Sequence, residues 1–207
     1  MESTVTVSRQ SDTQLQKTER TIEVVGLRPI MFDRYAGDND TKLQWHEKIY
    51  LKPGTNVLSL PCTNINSFFT SVNTASATKR LRDKRKYKDI CSAIQSFVVI
   101  EAIDGGEYCP FLRDGKPIEV GEFGDEVDEL SGVYLRRDVA RLEKGIPNPK
   151  ARPVLPMPWS LAFKLTILKN TAIKEAEIRN LLIEGGVAVG FGTYRGVYGK
   201  FLVDSWV

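Results

Sequence analysis

EGGVAVGFGTYRGVYGKF, residues 184–201, is the stretch on which the reading of this chain turns. It holds Gly185, Gly186, Gly190, Gly192, Gly196 and Gly199, with Arg195 and Lys200 set among them. Glycine loses more freedom on ordering than any other residue. A cluster of it therefore marks backbone that needs positive φ or very close approach to something. Two cations in the same loop make an anion, phosphate first, one candidate for that something. The other reading is a turn that only ends a helix and starts a strand.

Working outward, Ile178, Leu181 and Leu182 mark a short helix just upstream, which the pattern ends at Gly185 or Gly186 in a left-handed cap. Before it, Trp159, Leu161, Phe163, Leu165 and Ile167 alternate with Ser160, Ala162, Lys164 and Thr166, the cleanest strand in the protein. Downstream, residues 198–203 predict a closing strand, with Trp206 close behind. Toward the N-terminus, TIEVVGL (21–27) is β-branched and apolar, a first strand. Shorter strand-like pieces lie at 48–51 and 56–60. Ile65, Phe68, Phe69 and Val72 fall at i, i+3, i+4 and i+7, one helix face, with Thr63 or Asn64 able to cap its start. A basic run interrupts the helix, and the period resumes at Ile90, Ala93, Ile94 and Phe97 before the strand-like FVVIEAI (97–103). The order is strand, interrupted helix, strand, strand, helix, Gly-rich turn, strand. This is a β-α-β-β-α-β, ferredoxin-like or RRM-like α+β core. Residues 104–156, rich in Gly, Pro and acidic side chains, read as a large insertion of hairpins or loops between the second and third core strands. Residues 1–18 read as a flexible arm and 19–207 as a single domain. The sheet face away from the helices is expected to be open for an extended single strand, as in RNA-recognition sheets.

Bulk properties narrow the classes. A chain of 207 residues suits one domain with a sizeable core. The net charge of +3 is too mild to imply nucleic acid by itself, so the distribution of charge decides. Cys62, Cys91 and Cys109 are odd in number and widely spaced, unlike a disulfide framework or a metal-ligand set. No cofactor is expected. His46 is the single histidine, which excludes a multi-histidine zinc site. No apolar run approaches transmembrane length, and the polar start lacks a signal-peptide core. A cytoplasmic location and no membrane partner follow as expectations.

The Gly-rich stretch, together with LSLPCTNINSFFTSV (58–72), resembles the RAMP superfamily, the Cas7-like and related backbone proteins of CRISPR effector complexes. In that family a segment ending in Ile-Pro and a small-residue run opens the first helix. Leu60-Pro61-Cys62-Thr63-Asn64-Ile65 looks like that lead-in, with Asn64 and Asn66 in place of the usual Ser, Gly or Lys. Residues 190–201 match the family's final Gly-rich loop, and the insertion corresponds to its thumb-like hairpin. The resemblance implies a protein of antiviral defence, and the residues read as a binding module rather than an enzyme. It would bind single-stranded RNA (or single-stranded DNA) along the sugar-phosphate backbone, as a homo-oligomer or as a subunit of a multi-protein complex.

The residues that would grip the strand are Lys79, Arg80, Arg82, Lys84, Arg85, Lys86 and Lys88 of the basic run, Arg136 and Arg137 of a second cation set continued by Arg141 and Lys144, and Gly190, Gly192, Arg195, Gly196 and Lys200 of the loop. Cations that meet phosphates release counterions and supply sequence-independent affinity; the bland alternative for the run is a solvated loop. Ser71, Asn73, Thr74, Ser76 and Thr78 add hydroxyl and amide groups, and Tyr87 offers a ring that either stacks on a base or packs on the helix. Acidic Glu122, Asp125, Glu126, Asp128 and Glu129 read as a partner for these cations, within the molecule or in a neighbouring subunit of a head-to-tail assembly. Two rival readings stand: a phage or mobile-element interaction protein of the same fold, and a metal-dependent ribonuclease using Asp33, Asp38 or Asp40. Polar-loop aspartates are more often turn formers, and His46 more often a packing residue beside Trp45.

Overall fold

The computed structural model describes residues 16–38, 40–72, 76–121, 129–130, 132–141 and 147–207. Four strands form the heart of the main sheet: β1 (Lys17–Gly26), β4 (Val98–Ala102), β10 (Ser160–Leu168) and β11 (Phe201–Trp206). They lie in the order β11–β1–β10–β4, every pair antiparallel. Helices α1 (Cys62–Thr70) and α2 (Tyr87–Phe97) lie between β1 and β4 in sequence, and α3 (Glu175–Ala188) between β10 and β11. That is the α+β, ferredoxin-like plan expected from the alternation of periods.

The periodicity of β10 explains why it sits centrally. Trp159, Leu161, Phe163, Leu165 and Ile167 are all buried, and Phe163 stands opposite Ile22 of β1 and Ala102 of β4. Ile65, Phe68 and Phe69 of α1 and Ile178, Leu181 and Leu182 of α3 close over the same face in one core cluster. Each such side chain contributes about 1.5–3 kcal/mol on burial, so this shared face holds the sheet and helices together.

The local readings shift in instructive ways. β1 begins at Lys17, so Lys17 and Thr18 belong to the sheet rather than to an arm. α1 ends at Thr70, leaving Val72 95% exposed and not on the apolar face. Its start has no side-chain cap from Thr63 or Asn64, because the strand β3 (Ser59–Pro61) runs straight into it and the Cys62 N–H donates to Glu107 O at 2.8 Å. The piece expected as a strand near 48–51 is a 3₁₀ turn at His46–Lys48 followed by a bridge between Leu51 and Leu58. Tyr198 lies in the loop before β11, which starts at Phe201.

Residues between β4 and β10 do more than loop. β5 (Tyr108–Arg113) joins the main sheet, pairing with β10, with β3 and with β6 (Lys116–Pro117). A second antiparallel sheet is built from β2 (Ile30–Met31), β9 (Pro147–Leu155), β8 (Val133–Arg141) and β7 (Glu129–Leu130), in that order. β8 and β9 form a long hairpin paired from Tyr134↔Val154 to Arg141↔Pro147. No helix among the described residues is long and apolar enough to cross a membrane.

Candidate nucleic-acid interface

The Gly-rich loop begins where α3 stops. α3 runs through Gly185 and Gly186 instead of ending there, because both positions need glycine for packing. A Cβ on Gly185 would penetrate Thr78 and come within 2.7 Å of Phe68, and one on Gly186 would lie 2.6 Å from Phe201 O. The left-handed cap falls at Gly190, at φ 82°, whose N–H donates to Gly185 O at 2.9 Å. Beyond it the loop folds on itself and on β2. Phe191 N–H donates to Gly199 O at 2.9 Å, Thr193 N–H to Met31 O at 2.8 Å, and Gly199 N–H to Pro29 O at 2.8 Å. A side chain at Gly199 would collide with Phe191 O, and one at Gly192 with Met31 O. The close approach that these glycines permit is between segments of the chain itself.

Arg195 is turned inward. Its Nε donates to Gly192 O at 3.0 Å and its Nη1 to Ser76 O. Burial lowers the guanidinium from its ordinary value, with Tyr50 opposing, although an arginine stays charged at any physiological pH. The side chain thereby ties the loop to the segment that follows α1. Gly196 N–H donates to Val189 O, and Lys200 supplies the carbonyl that accepts from Leu27 and Arg28 N–H. The Lys200 side chain is half-buried beside these contacts.

The basic run is not a uniform cationic stripe. It forms two 3₁₀ turns, Thr78–Leu81 packed against α3 and Lys84–Lys86 against α2. Lys79 is only 7% exposed, its ammonium directed at Thr70 O. Arg80 reaches the C-terminal end of α3, donating to Ala188 O at 3.2 Å, where a cation complements the helix dipole. Arg82 is clamped to the flank of α3 by Glu177 and Glu184, each at 2.8 Å, and both carboxylates raise its pKa, Glu184 foremost. Arg85 pairs with Asp83, which also caps the second turn. Lys84, Lys86 and Lys88 are exposed and form no ion pair among the described residues. Tyr87 donates its hydroxyl to Arg80 O, so its ring belongs to the segment's own packing. Lys86 lies by the start of α3, near Lys174 and Glu177, while Arg80 and Arg195 sit at its end. A helix of 14 residues is about 20 Å long.

The second cation set approaches the loop from the opposite side. Arg136 of β8 pairs with Asp138 at 2.6 Å, and its guanidinium lies 5.6 Å from the Tyr198 ring centroid. Tyr198 packs with Met31, Val154 and Tyr134, where the two sheets meet. Arg137 is exposed, and as the next residue on the strand it points to the other face of the hairpin. The side chain of Arg141, Lys144, and the acidic set Glu122, Asp125, Glu126 and Asp128 with the Glu129 side chain lie outside the described residues, as do Asn73 and Thr74. The structure thus gathers Arg80, Arg136 and Arg195 around Gly190, Gly192, Gly196 and Lys200, and leaves Lys79 and Arg82 as packing residues. Beside Arg195 is a cleft of about 420 Å³ lined by Ser71, Ser76, Gly192, Thr193 and Tyr194.

Other expected features are arranged differently. The open face of the main sheet carries Lys17, Glu19, Thr21 and Glu23 of β1, Lys164 and Thr166 of β10 and Val99 and Glu101 of β4, without an aromatic ring on those three strands. With mixed charge and no ring, on this face these three strands lack the stacking residues of an RNA-recognition sheet. Asp33 is held by Arg152 at 2.8 Å and Lys48 at 3.6 Å, so its charge is neutralised within the fold. Asp38 accepts from Asp40 N–H, Thr41 N–H and the Thr41 hydroxyl, which lower its pKa, those of Thr41 foremost. It is a turn former. Asp40 is exposed in the same turn. His46 meets the Trp45 ring edge-on at 5.9 Å. No three His, Cys, Asp or Glu side chains converge among the described residues in a way that would hold a metal. Cys62 and Cys109, far apart in sequence, are brought to 3.6 Å between sulfurs, and the Cys109 thiol is pushed up by its hydrogen bond to Cys62 and by burial. Spacing alone offered no sign of this pair.

No protein-family model and no curated protein matches the sequence. A solved structure does match in fold: a chain of the cryo-EM structure of the Type III-B Cmr-beta bound to cognate target RNA, with a TM-score of 0.57 and 11% identity. The likeness covers 92% of this chain and 60% of that chain, so this protein spans about three fifths of the chain it matches. At that identity the likeness is one of architecture.

Proposed function

We propose that the protein binds single-stranded nucleic acid, RNA in preference to DNA, through the sugar-phosphate backbone at the Gly-rich loop, as a subunit of a larger ribonucleoprotein assembly. The observation that carries the reading is the fold likeness across 92% of the chain to a chain from an RNA-bound complex. Arg195 supports it by lining a polar cleft beside the loop, with Arg80 on Ala188 O and Arg136 over the Tyr198 ring on flanking segments. Exposed Lys84, Lys86 and Lys88 offer further cations apart from that loop. The neutralised Asp33 and the self-capping Asp38 favour binding over cleavage. Fold alone is an analogy, so the site residues carry the test.

The test is fluorescence anisotropy with an unstructured labelled RNA of roughly 16 nucleotides and the matching DNA, over a series of salt concentrations. Binding to RNA is expected to weaken linearly in log–log form. Lys84→Ala, Lys86→Ala and Arg136→Ala should each reduce the slope by about 0.7, the value for one phosphate no longer neutralised. Unchanged affinity and slope in the combined variant would remove the site assignment. Absence of binding to either polymer would leave a protein-interaction subunit of the same fold.

A further inference from the structure

Tyr194 has a backbone conformation that its side chain does not favour. Its φ is 53°, and among the described residues the only other non-glycine at positive φ is Asp114. An aromatic residue there carries a strain on the order of 1 kcal/mol or more, which the surrounding structure must sustain. Tyr194 is 55% exposed, and its ring stacks on Tyr198 with centroids 5.8 Å apart and planes 30° from parallel. Tyr198 in turn is buried against Met31 and Val154 and carries the Arg136 guanidinium over its ring. The exposed ring therefore rests on a rigid, cation-backed support at the seam of the two sheets. Tyr194 also borders the cleft, together with Ser71, Ser76, Thr193 and Arg195.

We infer that Tyr194 is a stacking platform for an unpaired nucleobase, with the sugar and phosphate of that nucleotide seated in the neighbouring cleft. This rests on the nucleic-acid reading above and adds to it a place for the base. A flat π face accepts any base, so the contact gives affinity without sequence preference. The cleft, at about 420 Å³, lies within the range of small-ligand sites. Arg195 lines the cleft and no acidic side chain among the described residues lines it, which suits a phosphodiester-linked ligand and disfavours a cationic side chain from a protein partner.

The experiment measures the affinity of the full chain for a labelled single-stranded RNA and for a sugar-phosphate oligomer of the same length without bases. Tyr194→Ala and Tyr194→Phe are compared with the native protein, and circular dichroism checks that each variant is folded. Tyr194→Ala should weaken binding of intact RNA by roughly 5- to 150-fold, the range for removal of one aromatic–base stack. Both proteins should bind the base-free oligomer equally, and Tyr194→Phe should stay within about twofold of the native protein on intact RNA, since phenyl stacks as phenol does. Equal weakening on the intact and base-free polymers would overturn the platform in favour of a backbone contact. Native-like, salt-sensitive binding of intact RNA by Tyr194→Ala would overturn the platform while leaving the nucleic-acid reading intact. Failure of the native protein to bind RNA at all would sink both.

Discussion

Replacing Gly185 by alanine sets two physical effects against each other. Gly185 lies inside α3, where alanine is favoured over glycine by about 1 kcal/mol. Its missing side chain is also the space into which the first 3₁₀ turn of the basic run packs. A Cβ would overlap Thr78 Cγ2 and stand 2.7 Å from Phe68 Cζ, and both neighbours are fully buried. Overpacking of a tight core costs about 1–3 kcal/mol, and two encroached neighbours place this site near the upper end. The expected net effect is a destabilisation of about 2 kcal/mol, or roughly 4–8 °C in Tm for a chain of this size. Urea titration and thermal melting followed by circular dichroism read it directly. Thr78→Ser in the same background removes the methyl that collides and should recover about 1 kcal/mol, a coupling that two independent sites would not show. If Gly185→Ala instead raises the midpoint by the propensity gain, the 3₁₀ segment does not pack on α3. The adjacency of Arg80 to the Gly-rich loop would fall with it.

Glu175 pairs with Arg20 at 2.5 Å and accepts from the Trp206 indole at 2.9 Å, and both bonds hold its carboxyl below the ordinary range, Arg20 foremost. A depressed folded-state pKa gives stability that is complete above the unfolded glutamate value and is lost as pH falls through the folded one. Glu175→Gln should therefore lower the urea midpoint at neutral pH, with the gap to the native protein closing toward about pH 3; a gap that persists there would refute the linkage. Cys62 and Cys109, 47 residues apart with sulfurs at 3.6 Å, should join on treatment with diamide and be found as one cross-linked peptide pair. Closing that loop stabilises the fold by up to about 4 kcal/mol in chain entropy, and recovery of both thiols in free form after oxidation would refute the contact.

Much of the fold was written in short-range pattern. The two-residue alternation from Trp159 to Ile167 and the helical spacing of Phe68 with Phe69 and of Leu181 with Leu182 follow from which side chains must leave water. The order of those elements leads to the β11–β1–β10–β4 sheet, because antiparallel pairing and right-handed crossovers leave few alternatives. The role of β5 was not legible, since its pairing with β3 and β10 depends on residues distant in the chain. The glycines of residues 184–201 were visible as a loop that needs close approach, but not what approaches: Met31, Phe191 and Thr78 do.

Sequence alone determined that a basic run and a Gly-rich loop exist, and that periodic apolar faces build an α+β core. Tertiary structure decided which of those charges remain available. Arg195 turns to Ser76 O, Lys79 is buried, Arg82 is held by Glu177 and Glu184, and Asp33 is neutralised by Arg152 from 119 residues away. The reason is physical: a charge is a property of one residue, whereas its partner, its desolvation and its direction are set by the segments the fold brings beside it.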